Sequence, residues 1–216
     1  METSEKLELV RRYLDRIINA PLNLTAFRDL QEAFTHLYID SVLAVKPHDL
    51  GECFLDVGTG GGVPGVFLAI EFGKRGLLID SVCKKVEYVR RVCEELGITN
   101  VTTMCIRAED LKNSGNYFES FDSAVCRAVA SLATVLELTV PYVKLGGRVL
   151  IYKGPGYTEE LGNSVNAMKE LGVKLSDVRC YSIQGKDRYL LVFEKIANTP
   201  EKYPRRAGIP EKRPIR

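Results

Sequence analysis

No stretch of the 216-residue chain approaches the ~20 consecutive apolar residues that a membrane-spanning helix needs. The start shows no targeting signal: Met1 to Lys6 is polar and carries Glu2 and Glu5, unlike the basic-then-apolar order of a secretory leader or an acid-poor transit peptide. A cytoplasmic protein without membrane contact is therefore expected. Clustered metal ligands are missing too. The six cysteines, Cys53, Cys83, Cys93, Cys105, Cys126 and Cys180, form no C-x-x-C pair, and the two histidines, His36 and His48, lie far from any cysteine group. Zinc needs converging ligands, so no metal is expected and the cysteines read as small, reduced core residues. Sustained heptads are absent as well, and a monomer is the expectation.

What is present is a soluble, globular balance for one domain: 45% hydrophobic and 27% charged residues. Net charge is only +2, but it is unevenly spread. Ile196 to Arg216 holds six Lys/Arg against two Asp/Glu, so this stretch carries +4 and the rest of the chain −2. A basic, proline-rich tail on a nearly neutral body suits a polyanionic partner. It equally suits a disordered, solubilising end.

Leu7, Val10, Leu14, Ile17 and Ile18 recur at helical spacing and predict an amphipathic helix over 4–19, stopped by Pro21. A second helix is expected from an N-cap at Asp29, with Leu30, Phe34, Leu37 and Val42 inward and Pro47 as its end. Residues 1–50 thus form a helical cap. Thereafter short apolar runs alternate with helix-like stretches. The strands are Cys53–Val57, Leu77–Ile79, Val101–Ile106, Phe121–Cys126 and Arg148–Tyr152. The helices are Gly65–Phe72, Lys84–Leu96, Ser131–Val143 and Thr158–Leu171. Such alternation predicts a parallel sheet covered on both faces. Val173–Ile183 and Arg188–Lys195, only four residues apart, are too close for a parallel crossover and must form an antiparallel hairpin. The expected fold is α/β, a mostly parallel seven-stranded sheet over 51–196 followed by the basic tail at 197–216. Five parallel strands and a final hairpin resemble, by analogy of fold, the layout of Rossmann-like class I methyltransferases.

Asp56-Val57-Gly58-Thr59-Gly60-Gly61-Gly62-Val63-Pro64-Gly65 follows the first strand and opens a helix. Glycines there let the chain turn sharply and let a flat ligand approach. Gly60-x-Gly62-x-x-Gly65 also satisfies the dinucleotide fingerprint, so an NAD enzyme stays open on this motif alone. Asp80, 22 residues after Gly58 at the end of the second strand, can accept hydrogen bonds from ribose hydroxyls. Arg107-Ala108-Glu109-Asp110 follows the third strand, where methyltransferases often place an acid near the adenine amino group. All three features fall at strand carboxyl ends and favour a nucleoside cofactor. Asp56 is expected to bond loop amides or the methionine amino group.

These residues resemble the RsmG family, also called glucose-inhibited division protein B. The resemblance rests on the glycine loop, on Asn23-Leu24-Thr25 with His36-x-x-x-Asp40-Ser41, and on Arg127-Ala128-Val129-Ala130-Ser131. Lys153-Gly154, Tyr203-Pro204-Arg205-Arg206-Ala207-Gly208 and Lys212-Arg213-Pro214 complete it. Val63 stands where relatives often have Phe or Leu. The resemblance implies S-adenosylmethionine as cofactor and methylation of guanine N7 at position 527 (rRNA numbering) of 16S ribosomal RNA. It further implies cofactor contacts from Gly58, Val63, Asp80, Ser81, Ala108, Glu109 and Arg127, to which the loop reading adds Asp56 and Gly60. Arg127 and Lys153 are expected beside the reacting base, and His36 and Lys153 on the RNA together with Arg205, Arg206, Lys212 and Arg213 of an extended tail. His36 and Asp40, four apart on one helix face, equally suit a pair with each other. The rivals are a methyltransferase of this fold acting on a small molecule or protein, an NAD-dependent oxidoreductase, and a non-enzymatic RNA-binding protein.

Overall fold

The computed structural model describes residues 2–215. The strands are β1 Cys53–Val57, β2 Arg75–Asp80, β3 Val101–Cys105, β4 Phe121–Arg127, β5 Val143–Lys153, β6 Val173–Ile183 and β7 Lys186–Lys195. They form one sheet in the order β3-β2-β1-β4-β5-β7-β6. Pairing is parallel from β3 through to β5, and β7 runs antiparallel between β5 and β6. The final hairpin is longer than expected, because Lys186 and Asp187 pair with Ile183 and Ser182. Only Gln184-Gly185 remains as the turn, with φ of 49° and 74°. Positive φ at both turn residues matches the right-handed twist of the flanking strands.

The helices are α1 Thr3–Ile18, α2 Leu30–Ala33, α3 Asp40–Val42, α4 Pro47–Leu50, α5 Gly65–Phe72, α6 Cys83–Leu96, α7 Leu132–Thr139, α8 Tyr157–Gly162, α9 Val165–Leu171 and α10 Ile209–Lys212. No helix among the described residues is long and apolar enough to cross a membrane. Alternation along β1 sends Phe54 and Asp56 to one face and Leu55 and Val57 to the other. Phe54 joins Tyr13, Leu14, Phe67 and Leu78 beneath α1, α5 and α6. Leu55 joins Leu136, Tyr142, Ile151 and Phe193 on the α7 side. Each fully buried side chain of this size contributes about 1.5–3 kcal/mol.

Four expectations need correction. The helix begun at the Asp29 cap is not uniform: residues Phe34–Ile39 form a π-helical segment between α2 and α3. Its wider turn shifts the inward face, leaving Leu30 40% exposed while Asp40 and Ser41 are buried. Pro47 does not end this helix but opens α4, where its missing N–H costs nothing. The stretch 158–171 is two helices, α8 and α9, broken at Asn163-Ser164. The tail is not wholly extended, since α10 forms within it.

The expectation of small, reduced core residues fails for three cysteines, Cys180 among them as an exposed free thiol on β6. Cys83 and Cys105 are exposed and joined as a disulfide, whereas Cys93 and Cys126 are buried as expected. Register explains the pair: Asp80 lies opposite Cys105, so the chain leaving β2 brings Cys83 back beside it. Closing a loop across a separation of 22 residues removes unfolded-state entropy equivalent to about 3 kcal/mol. Cys83→Ser is therefore expected to lower the urea midpoint, and dithiothreitol should bring the wild type down to the same value. A wild-type midpoint indifferent to reduction would show that the bond contributes no stability.

Candidate active site

The site is built where β1 and β4 diverge, the position at which strand order reverses and a crevice opens in doubly wound sheets. Gly58 and Thr59 donate their N–H groups to Ile79 O at 2.9 and 3.0 Å, tying the loop to β2. Gly58 has φ +74°, and a Cβ on it would lie 2.5 Å from Val129 Cγ2. Only glycine lets the loop after β1 meet the loop after β4. Gly60 N donates to Asp80 Oδ2 and Val82 N to Asp80 Oδ1, both at 2.9 Å. Asp80 is thus oriented across the crevice by two backbone groups.

Asp56 lies fully buried under this loop. Its Oδ2 accepts from Thr59 Oγ1 at 2.6 Å and Gly65 N at 2.9 Å, while Oδ1 has no partner among the described residues. Burial pushes its carboxyl up to about 7, against the pull of the bonds from Thr59 and Gly65. Asp56 braces the loop from within. Tyr13, fully buried on α1, donates to Gly61 O at 2.9 Å. Nothing in the sequence marked Tyr13 as part of the site, because 48 residues separate it from its acceptor. Val63 packs into the apolar core on this side.

A cavity of about 280 Å³ lies on the opposite side of the loop. Of the expected cofactor residues, Gly58, Asp80, Ser81, Ala108 and Glu109 line it, whereas Asp56, Gly60, Val63 and Arg127 do not. Ile79, Ile106, Val129 and Leu138 make its apolar walls, and Thr134, Pro210 and Glu211 also reach it. Tyr142 OH donates to Ala108 O and fixes the turn after β3. The donor set suits a nucleoside: a carboxylate at Asp80 for a diol, apolar walls for a flat base, and the Glu109 carboxylate for an amino group.

The other expected residues divide into two groups. Arg127 reaches into the helical cap, with Nη2 2.7 Å from His36 O and 2.9 Å from Asp40 Oδ2, and Nη1 3.3 Å from Ser41 Oγ. Asp40 also accepts from Tyr181 OH at 2.8 Å. The His36 ring stacks on Phe27 and bonds Gln184 Oε1 at 3.0 Å, so it pairs across to the β6–β7 turn. Lys153 Nζ bonds Ala130 O at 3.0 Å and Glu160 Oε2 at 2.7 Å. Lys153 therefore braces the segment 128–131 that carries Val129 over the cavity, while Arg127 ties the end of β4 to the helical cap. In the tail, Arg206, Lys212 and Arg213 are exposed, while Arg205 is committed to the buried Glu137. Among the described residues no group of three or more His, Cys, Asp or Glu is placed to hold a metal.

The family model for GidB, described as rRNA small subunit methyltransferase G, matches residues 6–190. The chain belongs to the GidB family. The ribosomal RNA small subunit methyltransferase G of Fervidobacterium nodosum is 69% identical over 212 residues, covering 98% of this chain and 100% of that protein. Its namesake from Thermotoga petrophila is 44% identical, covering 97% of this chain and 92% of that one. Fibrillarin of Aeropyrum pernix, solved with bound S-adenosyl-L-methionine, superposes with a TM-score of 0.56 at 13% identity, over 71% of this chain and 72% of that one. At that identity it shows the fold alone. Membership makes this GidB chain an rRNA methyltransferase of the small subunit, with S-adenosylmethionine as methyl donor.

Proposed function

We propose that the chain methylates N7 of one guanine, position 527 in rRNA numbering, of 16S ribosomal RNA. The observation that carries the cofactor half is the cavity between the loops after β1 and β4, lined by both Asp80 and Glu109. Gly58, Asp80, Ser81, Ala108 and Glu109 would hold S-adenosylmethionine there, whose sulfonium supplies an electrophilic methyl. Guanine N7 has an in-plane lone pair and no proton at neutral pH, so no side chain need act as a base. Substitution forms the N7–C bond and breaks the C–S bond, and the positive charge passes to the guanine. The protein's work is orientation.

Arg127, at the start of the segment 128–131, and Lys153, bonded to its Ala130 O, would engage the base by exchanging their present carboxylate partners, Asp40 and Glu160. Arginine can bond guanine O6, or a flanking phosphate, through its planar fork. Exposed Arg206, Lys212 and Arg213 give the tail a phosphate-binding face, contributing affinity more than sequence choice. The reading includes a cytoplasmic monomer of one structural domain, divided into cap, core and tail near residues 50 and 196.

Labelled methyl from S-adenosylmethionine should enter small subunits from cells lacking this modification, at a single guanine revealed by cleavage at N7-methylguanine. Transfer should fall steeply as salt rises, as phosphate contacts require. Tight binding of S-adenosylhomocysteine with no label on subunits or naked rRNA would sink the substrate assignment and keep the cofactor assignment.

A further inference from the structure

We propose that residues 199–213 form the adenine-side wall of the cofactor cavity, and that Glu137 and Arg205 are positioning residues that hold this wall in place. The proposal rests on reading the cavity as the cofactor site. It adds a role that the resemblance assigns elsewhere, since the tail was expected on the RNA, and it concerns a segment beyond the residues 6–190 that the family model matches.

Glu137 sits fully buried in the middle of α7. A carboxylate in such a place is costly unless it is paired and hydrogen-bonded, and its partners all come from the tail. Arg205 donates to it three times: from the backbone N at 2.9 Å, from Nε at 2.8 Å and from Nη2 at 2.6 Å. Arg205 Nη2 also reaches Arg213 O at 2.8 Å, closing the intervening residues into a loop over α7. Within that loop two bonds land on residues of the cavity itself. Gly208 N donates to Glu109 Oε1 at 2.9 Å, and Thr134 Oγ1 donates to Pro210 O at 3.0 Å. Pro210 and Glu211 then complete the cavity lining beside Ala108 and Glu109.

Upstream, the segment is anchored before it reaches Arg205. Thr199 N donates to Glu119 Oε1 and Thr199 Oγ1 to Leu171 O, both at 3.0 Å. Lys112 Nζ, from the turn after β3, donates to Glu201 O and Pro204 O at 3.2 Å each. The turn carrying Ala108 and Glu109 is thus fastened to the tail at both of its ends. Removal of residues 198–216 should accordingly weaken cofactor binding itself, not RNA engagement alone.

The test measures S-adenosylhomocysteine binding by titration calorimetry on the full chain. Arg205→Ala leaves Glu137 unpaired and endangers folding, so the decisive protein is the double variant Glu137→Leu with Arg205→Ala, which removes both charges together. It should keep the wild-type far-ultraviolet circular dichroism and bind S-adenosylhomocysteine roughly tenfold more weakly, about 1.4 kcal/mol. Trypsin supplies a second readout that a purely structural pair would not move: S-adenosylhomocysteine should slow cleavage after Arg206 in the wild type and give no such protection in the double variant. Wild-type affinity in the folded double variant, or no ligand protection at Arg206, overturns the wall. Failure of the wild type to bind S-adenosylhomocysteine would instead overturn the cofactor reading on which the wall rests.

Discussion

Replacing Asp80 with alanine is expected to weaken S-adenosylmethionine binding by two to three orders of magnitude while leaving a folded protein. Asp80 is the one carboxylate of the cavity oriented by two backbone donors, Gly60 N and Val82 N. It stands half-buried at the carboxyl end of β2, where neighbouring apolar walls thin the competing water. A hydrogen bond to a charged group is worth about 1.5–3 kcal/mol, and a ribose offers two hydroxyls. Loss of both bonds corresponds to roughly 10²–10⁴-fold in affinity, which replacement of the carboxylate by water trims to about two to three orders. Asp80→Asn keeps one acceptor and should fall between the two. Calorimetric titration with S-adenosylhomocysteine checks this, alongside the apparent KM in the methyl-transfer assay. Affinity for the alanine variant within threefold of wild type would remove Asp80 from the cofactor site.

Arg127→Ala should cost both stability and activity, and the two losses can be separated. The Arg127 guanidinium is the nearest cation to Asp40, a carboxylate only 4% exposed. Removing one partner of a buried pair costs about 3–5 kcal/mol, because the other charge stays buried without compensation. Tyr181 OH at 2.8 Å and Arg188 Nε at 3.8 Å remain near Asp40, which places the expected loss at the lower end, about 3 kcal/mol. The informative comparison is the double variant with Asp40→Asn, which removes the stranded charge. Two residues in direct contact couple in this way, and a double-mutant cycle isolates the coupling. Urea midpoints should show most of the stability returning in the double variant. Methyl transfer should not return if Arg127 serves the reacting guanine, and full recovery of transfer would reduce Arg127 to a brace between β4 and the helical cap. Arg127→Lys keeps the charge but not the fork that reaches His36 O, Ser41 Oγ and Asp40 together, so it should recover stability better than turnover.

Everything legible in the sequence is local in the chain. The β1 strand, its glycine loop and α5 are contiguous, and the period-2 pattern followed by glycines and an apolar helix admits few other arrangements. Asp80 could be placed because a strand end is fixed by the short run that precedes it. The antiparallel hairpin followed from arithmetic on loop length, since so few residues cannot cross a sheet. Small errors came where a local signal had two readings: Pro47 terminates one helix and starts another with equal ease, and a π turn leaves no mark in a periodicity read over so few residues.

The sequence by itself therefore determined the fold class, the strand ends around which the crevice opens, and the family. Those properties depend on the order and spacing of short segments, which the chain carries directly. The tertiary structure alone decided which charges are free and which are consumed. Arg205 and Arg206 are neighbours of identical type, yet one is locked to Glu137 across 68 residues and the other is exposed. Likewise, two of six similar cysteines meet as a disulfide because parallel register sets Cys105 opposite Asp80 and so beside Cys83. Pairing of this kind is a property of three-dimensional proximity and burial. Along the chain, an arginine destined for a buried carboxylate and one destined for a phosphate look the same.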